Sequence, residues 1–398
     1  MSPLSRRTFL KSLGVGAGVL AGSTLPGGRL IGDALAATPE PTSVVVVYLN
    51  GGMNAIFTGA DAFTNTAFGV TAANVTAMGP VVIDNAIANA IPAGIRSKVA
   101  TVGVRHGISD HGNAQRSFFA AGTRSAPLVL ADAIGGTGAI KAAVVGGSGL
   151  PAGAPAPVNG ISLQPVTDMR ATIEAIAGAT PQPNVVDRDG AAKGLVAAEA
   201  MSKAVVARHG QSLASVNQGL AAAIATLQKP VQPFDVTEFN TAYGLTGTAV
   251  STFAARMAAA ELMVRTGTAV VFAQDAGWDS HGDSSGASVR SMFQQRIAPG
   301  LRTFLGRMVD GAAAQQRNVI VAIFGDFHRS LPGSDHQANG AALVVGKTLK
   351  NATTGKTDSK VSLAPGTPGI DGLWQLLAAA AKVQASPFGP NPHASLLA

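Results

Sequence analysis

Val44-Val45-Val46-Val47-Tyr48-Leu49 is the stretch that decides the fold class of this chain. It is a continuous apolar run, not an alternating one, and such a run is typical of a parallel strand that is covered on both faces. The run breaks at once into Asn50-Gly51-Gly52-Met53-Asn54, a turn that places polar side chains at the carboxyl end of the strand. In sheets of this kind, ligands bind where the strands end.

Similar strand-and-turn units recur along the chain and alternate with helical spacing. Apolar runs that end in polar or glycine-rich turns occupy 98–104, 142–145, 268–272 and 319–324, and a further candidate strand covers 341–345. Helical spacing covers about 113–121, 166–177, 191–227, 248–265, 288–313 and 371–383. This alternation predicts an α/β fold with a largely parallel central sheet and helices on both faces.

One long segment interrupts this alternation. Residues 149–165 are rich in Pro, Gly and Ala and are followed by helical stretches. We expect a helical, Pro/Gly-rich insertion over about 149–245 that caps the sheet and is not a separate domain. Residues 37–398 should then form a single α/β domain, a length sufficient for one large hydrophobic core.

Residues 1–36 contain the three parts of a twin-arginine export signal in the expected order. Arg6-Arg7 is the arginine pair, an apolar stretch follows over 13–25, and Ala34-Leu35-Ala36 suits signal peptidase. An ordinary amphipathic N-terminal helix is the alternative interpretation. The signal predicts a mature chain that begins at Ala37, the twin-arginine translocase as a partner during export, and a periplasmic or secreted location.

The composition excludes several classes of function. The formal net charge is +7, and it falls to +4 without the predicted signal, which carries four basic residues and one acidic residue. No block of Lys and Arg stands out and aromatic residues are scarce, so we expect no nucleic-acid partner. The chain has no cysteine, which excludes disulfides, thiolate metal sites and a cysteine nucleophile. No later stretch is long and apolar enough to predict stable membrane insertion.

Five of the seven histidines lie in three polar clusters at predicted strand ends. The clusters are Arg105, His106, Asp110 and His111; Asp279 and His281; and Asp326, His328, Asp335 and His336. Carboxylate and imidazole are the ligands that divalent cations such as Zn, Mg, Ca or Mn take when thiolates are absent. Each cluster by itself also fits a turn with a hydrogen-bonded histidine, but their shared position predicts a common metal site.

Ser109 lies directly before a predicted helix and has two interpretations. Free backbone N–H groups and the helix dipole favour an anion at such a position or lower the pKa of a hydroxyl, which suits a nucleophile. Alternatively, Ser109, Asp110 or Asn113 caps the helix.

The order of these motifs resembles the twin-arginine-exported proteins that carry the domain of unknown function 1501, a family similar in fold to the alkaline phosphatase and sulfatase superfamily. The resemblance covers about 43–345. It rests on Gly51-Gly52-Met53-Asn54, Ser109–Gln115, Gly277-Trp278-Asp279-Ser280-His281, Asp326-Phe327-His328-Arg329 and Asp335-His336. The Gly-Trp-Asp-Ser-His motif and the Asp-His pair are the specific parts. The resemblance implies an alkaline phosphatase-like fold.

The same resemblance implies a nucleophile and a set of metal ligands. By the pattern of the superfamily, the nucleophile is Ser109 and the ligands are Asn54, Asp279, His281, Asp326 and His336. The third cluster adds His328 and Asp335 as candidate ligands. Asn54 stands where the family has an aspartate, and Phe327 stands where hydrolytic members often have a histidine. Because an amide binds divalent metals more weakly than a carboxylate, a single-metal or degenerate site is an alternative to a two-metal centre.

We therefore expect an exported metal-dependent hydrolase of phosphate or sulfate esters, with a small anionic ester as its substrate. Ser109 would attack the ester, and His111 or Arg105 would hold its anionic oxygens. One alternative is a non-catalytic extracytoplasmic binding or cell-surface assembly protein on the same scaffold. Another is a metal-free serine hydrolase that uses Ser109 and a histidine.

Overall fold

The computed structural model describes residues 40–53, 71–147, 150, 155–177, 193, 194, 196–201, 203, 204, 235–330, 335–358 and 362–398. From Pro41 onward they belong to one compact unit, Pro41–Ala398. The predicted signal peptide over 1–36, the candidate ligand Asn54 and about half of the predicted insertion lie outside the described residues. What the sequence predicts for those segments stays a prediction.

Strands from both halves of the chain build one central sheet. In chain order the described strands are β1 (Thr42–Asn50), β2 (Val75–Met78), β3 (Val81–Asp84), β4 (Val99–Arg105), β5 (Ala120–Ala121), β6 (Arg124–Ser125), β7 (Ala142–Val145), β8 (Leu163–Val166), β9 (Val270–Ala276), β10 (Asn318–Gly325), β11 (His328–Arg329), β12 (His336–Gln337), β13 (Asn339–Val345) and β14 (Ala352–Thr354). Eight of them form the central sheet in the order β14-β4-β13-β10-β1-β9-β7-β8. The others pair as β2 with β3, β5 with β6 and β11 with β12.

The central sheet is mostly parallel. Strand β1 pairs in parallel with β10 on one side and β9 on the other, and β7 continues the parallel order to β8. Strand β13 is antiparallel to both of its neighbours, β10 and β4, while β14 is parallel to β4. Of the eight strands, β13 is therefore antiparallel to the other seven. The prediction of a largely parallel sheet is confirmed.

Helices cover both faces of this sheet. In chain order the described α-helices are α1 (Asn85–Ala88), α2 (His111–Phe118), α3 (Ala126–Ile134), α4 (Met169–Ala177), α5 (Val236–Tyr243), α6 (Phe253–Arg265), α7 (Ala287–Met292), α8 (Ala298–Leu305), α9 (Ala313–Gln316) and α10 (Ile370–Ala380). π-Helical turns at Phe293–Ile297 and Gly306–Asp310 follow α7 and α8, and 3-10 turns cover Ala93–Lys98 and Ala394–Leu396.

Strand β1 shows why the valine run forms the centre of the fold. Side chains alternate between the two faces of a strand. Val45, Val47 and Leu49 pack in one core with α6 and α8, and the alternate residues from Val44 to Tyr48 pack in a second core with α3 and α10. All six are fully buried, and each such burial contributes on the order of 2 kcal/mol. The predicted α/β class with helices on both faces is confirmed.

Some predicted boundaries differ from the structure for local reasons. Helix α4 begins at Met169, because the preceding residues up to Val166 form β8. Strand β8 falls inside the predicted insertion, yet it extends the central sheet beside β7, so this part of the segment belongs to the sheet. Within the described residues, no helix combines the length and the apolar character needed to cross a membrane.

Candidate metal centre

Three side chains converge at the edge where the parallel strands end. His111 is the first residue of α2, Asp279 follows the end of β9, and His336 lies in β12. Strand β12 reaches this edge because the antiparallel β13 starts opposite Arg105, the last residue of β4. One ligand atom from each of the three residues lies within 4.8 Å of the other two. Two imidazoles and one carboxylate at this spacing could hold a metal ion.

The ring of His111 is fixed from behind. Its Nδ1 lies 2.6 Å from Oδ2 of Asp326, and because an ionised carboxylate only accepts hydrogen bonds, Nδ1 must carry the proton. Its Nε2 is buried, has no hydrogen-bond partner in the described part of the chain, and lies 3.6 Å from Oδ2 of Asp279. His111 therefore presents a lone pair toward Asp279, as a metal ligand does.

His336 repeats this arrangement with a backbone acceptor. Its Nδ1 donates to the carbonyl of Ser109 at 2.6 Å, which leaves Nε2 as the lone-pair nitrogen. That Nε2 is likewise buried and without a hydrogen-bond partner among the described residues. Burial lowers the pKa of His336, and the nearby charges of Arg329, His111 and His281 act in the same direction, against the hydrogen bond to Ser109. The ring is therefore neutral near pH 7, the form that binds metals.

Asp279 supplies the carboxylate and keeps one side open. About half of its side chain is exposed, and its Oδ1 accepts a 2.6 Å hydrogen bond from Nη2 of Arg329. Burial acts to raise the pKa of Asp279, but the hydrogen bond and charge of Arg329, with the charges of His111 and His281, lower it overall. Asp279 is therefore ionised at neutral pH, and its exposed side leaves room for water or a substrate.

His281 and Asp335, both predicted as ligands, lie at the rim of this group. Nε2 of His281 is 3.4 Å from Oδ1 of Asp279, and its Nδ1 is 3.3 Å from Oδ1 of Asp335. The rings of His281 and His336 have centroids 4.5 Å apart. Half of the His281 side chain and most of the Asp335 side chain are exposed. They are outer members that do not belong to the close group of three.

Asp326 is placed differently from its prediction as a metal ligand. It is fully buried and lies behind His111, outside the group of three. Both of its oxygens already accept hydrogen bonds from the protein. The donors are Tyr48 Oη at 3.0 Å, Gly51 N at 2.9 Å, Gly52 N at 3.1 Å, His111 Nδ1 at 2.6 Å and Gln115 Nε2 at 3.2 Å. In this arrangement both oxygens of Asp326 are engaged within the protein, and direct metal binding by Asp326 stays a prediction.

The Gly51-Gly52 turn explains why two glycines follow β1. Both have positive φ angles, 119° and 97°, which only glycine adopts without strain. A Cβ on Gly51 would lie 2.3 Å from the backbone nitrogen of Asp279. The turn therefore lets two N–H groups point at Asp326 while the loop that carries Asp279 packs directly against it.

Arg105 and His328 do not join the group. Nη2 of Arg105 donates to the carbonyls of Leu363 and Ala364 at 2.5 and 3.0 Å, so this guanidinium anchors a neighbouring loop. His328 is buried within β11. The structure does not bring Arg105 or His328 into the close group of three, and the substrate role of Arg105 and the metal role of His328 stay predictions. His111, which was predicted to hold the substrate, lies in the close group of three that could hold a metal ion.

Ser109 lies on the exposed loop between β4 and α2, beside the group. It lines a surface cavity of about 660 Å³ together with Asp110, Asn113 and Arg116. The cap of α2 is Asp110, whose carboxylate accepts the N–H of Asn113 at 2.8 Å. Ser109 is therefore not the helix cap, and its carbonyl joins it directly to His336.

Tyr48 and Gln115, neither of which was predicted to have a role in the site, support it through hydrogen bonds to Asp326. Nε2 of Gln115 donates to Asp326 and also to Oδ1 of Asn50 at 2.7 Å. His111 and Gln115 are four residues apart and so share one face of α2, which is a signal that the sequence does contain. Tyr48 belongs to an apolar run in the sequence, and no local pattern reveals the contact of its hydroxyl with a residue 278 positions away.

No protein-family model matches this chain, and no curated protein matches it. Among solved structures, the alkaline phosphatase from the Antarctic bacterium TAB5 aligns with a TM-score of 0.39 and 10% sequence identity, over 87% of this chain and 100% of that one. A mutant of that alkaline phosphatase with Mg bound in its M3 site aligns with a TM-score of 0.36 and 10% identity, over 87% of this chain and 99% of that one. Likenesses this loose do not bear on function, and the resemblance to the twin-arginine-exported family stays a prediction.

Proposed function

We propose that this protein is an exported metal-dependent hydrolase of phosphate or sulfate esters. The observation that supports the proposal is the convergence of His111 Nε2, His336 Nε2 and the Asp279 carboxylate, with both imidazole nitrogens buried and unpaired within the described chain. Unpaired buried polar atoms are costly, and a divalent ion would satisfy both at once. Three protein ligands with one exposed side are typical of a catalytic site.

The geometry favours one metal ion over two. Asp326, a ligand in the resemblance, is saturated by five protein donors, and His281 lies at the exposed rim. We propose Zn as the first candidate ion, because two of the three ligands are imidazoles, and Mn as the second, because the carboxylate and the open side also suit an ion that takes oxygen ligands. A bound ion would supply Lewis acidity at the open side, where an ester oxygen is polarised.

Ser109 is the proposed nucleophile, since its own carbonyl holds the ligand His336. Its Oγ would form a bond to phosphorus or sulfur as the bond to the leaving alcohol breaks. Water would then hydrolyse the serine ester and restore the hydroxyl. Arg116, which lines the same cavity, is placed to attract the anionic ester.

Metal titration of the purified protein, followed by turnover of an aryl phosphate and an aryl sulfate, tests the proposal. We expect tight binding of one Zn or Mn ion, and Asp279→Asn should weaken it by at least about 100-fold, more than the loss of an outer-shell partner costs. Asp110→Asn is the matched control, because asparagine caps a helix as well as aspartate does. Protein that binds no metal and turns over neither ester would refute the proposal, and metal binding without turnover would favour the non-catalytic binding or assembly protein.

Export is a separate proposal that rests on Arg6-Arg7 and the stretch that follows them. The twin-arginine translocase would be the partner in this step, and the protein would be periplasmic or secreted. Replacing both arginines by lysine should leave full-length precursor inside the cell. Cell fractionation measures this, and unchanged export of the double variant would contradict it.

A further inference from the structure

We infer that Asp326 is a positioning residue, which fixes His111 in the tautomer that a metal requires. The inference deepens the proposed function and rests on the metal site named there. Asp326 is completely buried. It makes no hydrogen bond with Asp279 or His336, the other two members of the metal group. Its role must therefore act through the residues that it holds.

Three donors from the end of β1 hold one oxygen of Asp326. Oδ1 accepts from the hydroxyl of Tyr48 and from the N–H groups of Gly51 and Gly52, at 2.9 to 3.1 Å. Strand β1 pairs with β10 up to Leu49 and Gly325, so the turn after β1 meets the residue directly after β10. The end of β1 thereby holds the carboxylate independently of its contacts with α2.

The other oxygen faces two residues of α2. Oδ2 accepts from Nδ1 of His111 at 2.6 Å and from Nε2 of Gln115 at 3.2 Å. Gln115 is oriented in turn by Asn50, at the end of β1. A carboxylate that only accepts can be satisfied by His111 only when Nδ1 carries the proton. The protein therefore selects the Nε2 lone pair before any ligand arrives.

With a metal bound at Nε2 of His111, Asp326 and His111 would form a carboxylate–histidine–metal triad. The carboxylate fixes the ring orientation and raises the basicity of the coordinating nitrogen. Four of the five donors to Asp326 are neutral groups at neutral pH, so among its hydrogen-bond partners His111 is the one that its negative charge polarises most, while the charge also acts on the nearby Arg329. Asp326 thus strengthens His111 as a metal ligand without binding the metal itself.

Asp326→Asn tests the inference, because asparagine has nearly the same shape. Its oxygen can still accept from Tyr48 and the two glycines, but its NH2 group then faces Nδ1 of His111. That contact favours the opposite tautomer, with the proton on Nε2. We expect Zn affinity to fall about 10- to 100-fold, and the 15N shifts of His111 in the metal-free protein to move to the Nε2–H tautomer.

Asp275→Asn is the matched control. Asp275 is also a buried carboxylate near the end of a central strand, but it holds Arg296 and Trp278 at 2.6 and 2.8 Å and no histidine. It should leave Zn affinity and the His111 tautomer unchanged. If Asp326→Asn does not fold, two other measurements test the inference: the 15N spectrum of the wild-type protein and the Zn affinity of Gln115→Met. The former must show Nδ1–H at His111, and the latter should fall by only a few fold.

The outcomes separate this inference from the proposed function. Unchanged Zn affinity and an unchanged tautomer in Asp326→Asn would overturn the inference while leaving the metal site intact. Lost affinity with an unchanged tautomer would make Asp326 a direct ligand and would also overturn it. Wild-type protein that binds no Zn would refute the proposed function, and the tautomer of His111 would then still show whether Asp326 sets it.

Discussion

Asp326 and Glu261 are the two acidic residues that the described part of the chain buries completely, and their surroundings differ. Each accepts a hydrogen bond from one of the chain's two tyrosines, Tyr48 at 3.0 Å and Tyr243 at 2.7 Å. Glu261, in α6, is further held by two arginines. Arg307 donates through Nε and Nη2 at 2.8 to 3.0 Å, and Arg265 lies 2.5 Å away.

The difference shows two ways to bury one negative charge. Glu261 is neutralised by arginines from the end of α6 and from the π-turn after α8, so its charge is used to join helices. Within the described residues, Asp326 has no arginine among its hydrogen-bond donors, which are His111, Tyr48, Gln115 and two backbone N–H groups, although its charge also acts on the nearby Arg329. Removing the carboxylate of a buried ion pair is strongly destabilising, because its partner charges stay buried without compensation, whereas a carboxylate that neutral donors hold can still polarise its neighbour.

The largest effect on stability should follow from Glu261→Gln. It leaves two partly buried guanidinium groups without their shared carboxylate, and we expect the free energy of unfolding to fall by about 3 kcal/mol. Urea denaturation measures the loss, and Zn affinity should not change. Glu238→Gln removes an exposed partner of the same arginines and should cost less than about 1 kcal/mol. Equal losses in the two variants would contradict the comparison.

Asp326→Asn should show the reverse balance. Most donors keep an acceptor, so the free energy of unfolding should fall by only about 1 to 2 kcal/mol, less than in Glu261→Gln. The Zn affinity should nevertheless fall, as inferred above. The same two measurements on both variants form a crossed test. If both variants lose stability and neither changes the Zn affinity, the two carboxylates have the same role and the comparison fails.

The tyrosines give a smaller, matched pair of changes. Tyr48→Phe and Tyr243→Phe each remove one hydrogen bond to a buried carboxylate and should cost about 1 kcal/mol. Only Tyr48→Phe should affect Zn binding, and by less than about threefold, because four donors still hold Asp326. Calorimetry on the two variants checks this. A larger effect on Zn binding from Tyr243→Phe would break the distinction between the two regions.

Alkaline titration should reveal what the two regions share. Burial, followed by the charge of the neighbouring carboxylate and the hydrogen bond to it, raises the pKa of Tyr48 and of Tyr243 well above 10. The folded protein thus keeps both protons where the unfolded chain releases them. This contribution to stability is complete below pH 10 and is lost as pH rises through 10 toward the raised values. Absorbance at 295 nm should show no phenolate before unfolding, and a phenolate signal from folded protein near pH 10 would contradict the prediction.

The sequence predicts the sheet well, because a strand buried on both faces has a direct signature. The valine run at 44–49 identifies β1 without any knowledge of its partners. Strand direction is different, since the apolar run at 341–345 has the same composition in a parallel or an antiparallel strand. The reversal of β13 becomes visible only through its pairing with β4 and β10.

The site was predictable as a location but not as a set of roles. Asp279 and His336 meet because their strand ends share one edge, which the pattern of clusters indicates. Whether a carboxylate binds metal or holds another ligand depends on which donors occupy its oxygens. For Asp326 these donors include Gly51 and Gly52, 275 and 274 residues away. No local pattern around Asp326 records that distance.

The reversed strand β13 also has a consequence for the order of folding. Because thirteen residues (326–338) connect β10 to its antiparallel neighbour β13, these two strands pair at short sequence separation. Contacts at short sequence separation form quickly, and those that close long loops form slowly. Asp326 and His336 should thus come together early, whereas His111 and the turn after β1 arrive by pairings hundreds of residues apart. Zn added at the start of refolding would therefore meet His336 without its two partner ligands, His111 and Asp279, and tight Zn binding would report the formation of the last long-range contacts of the chain.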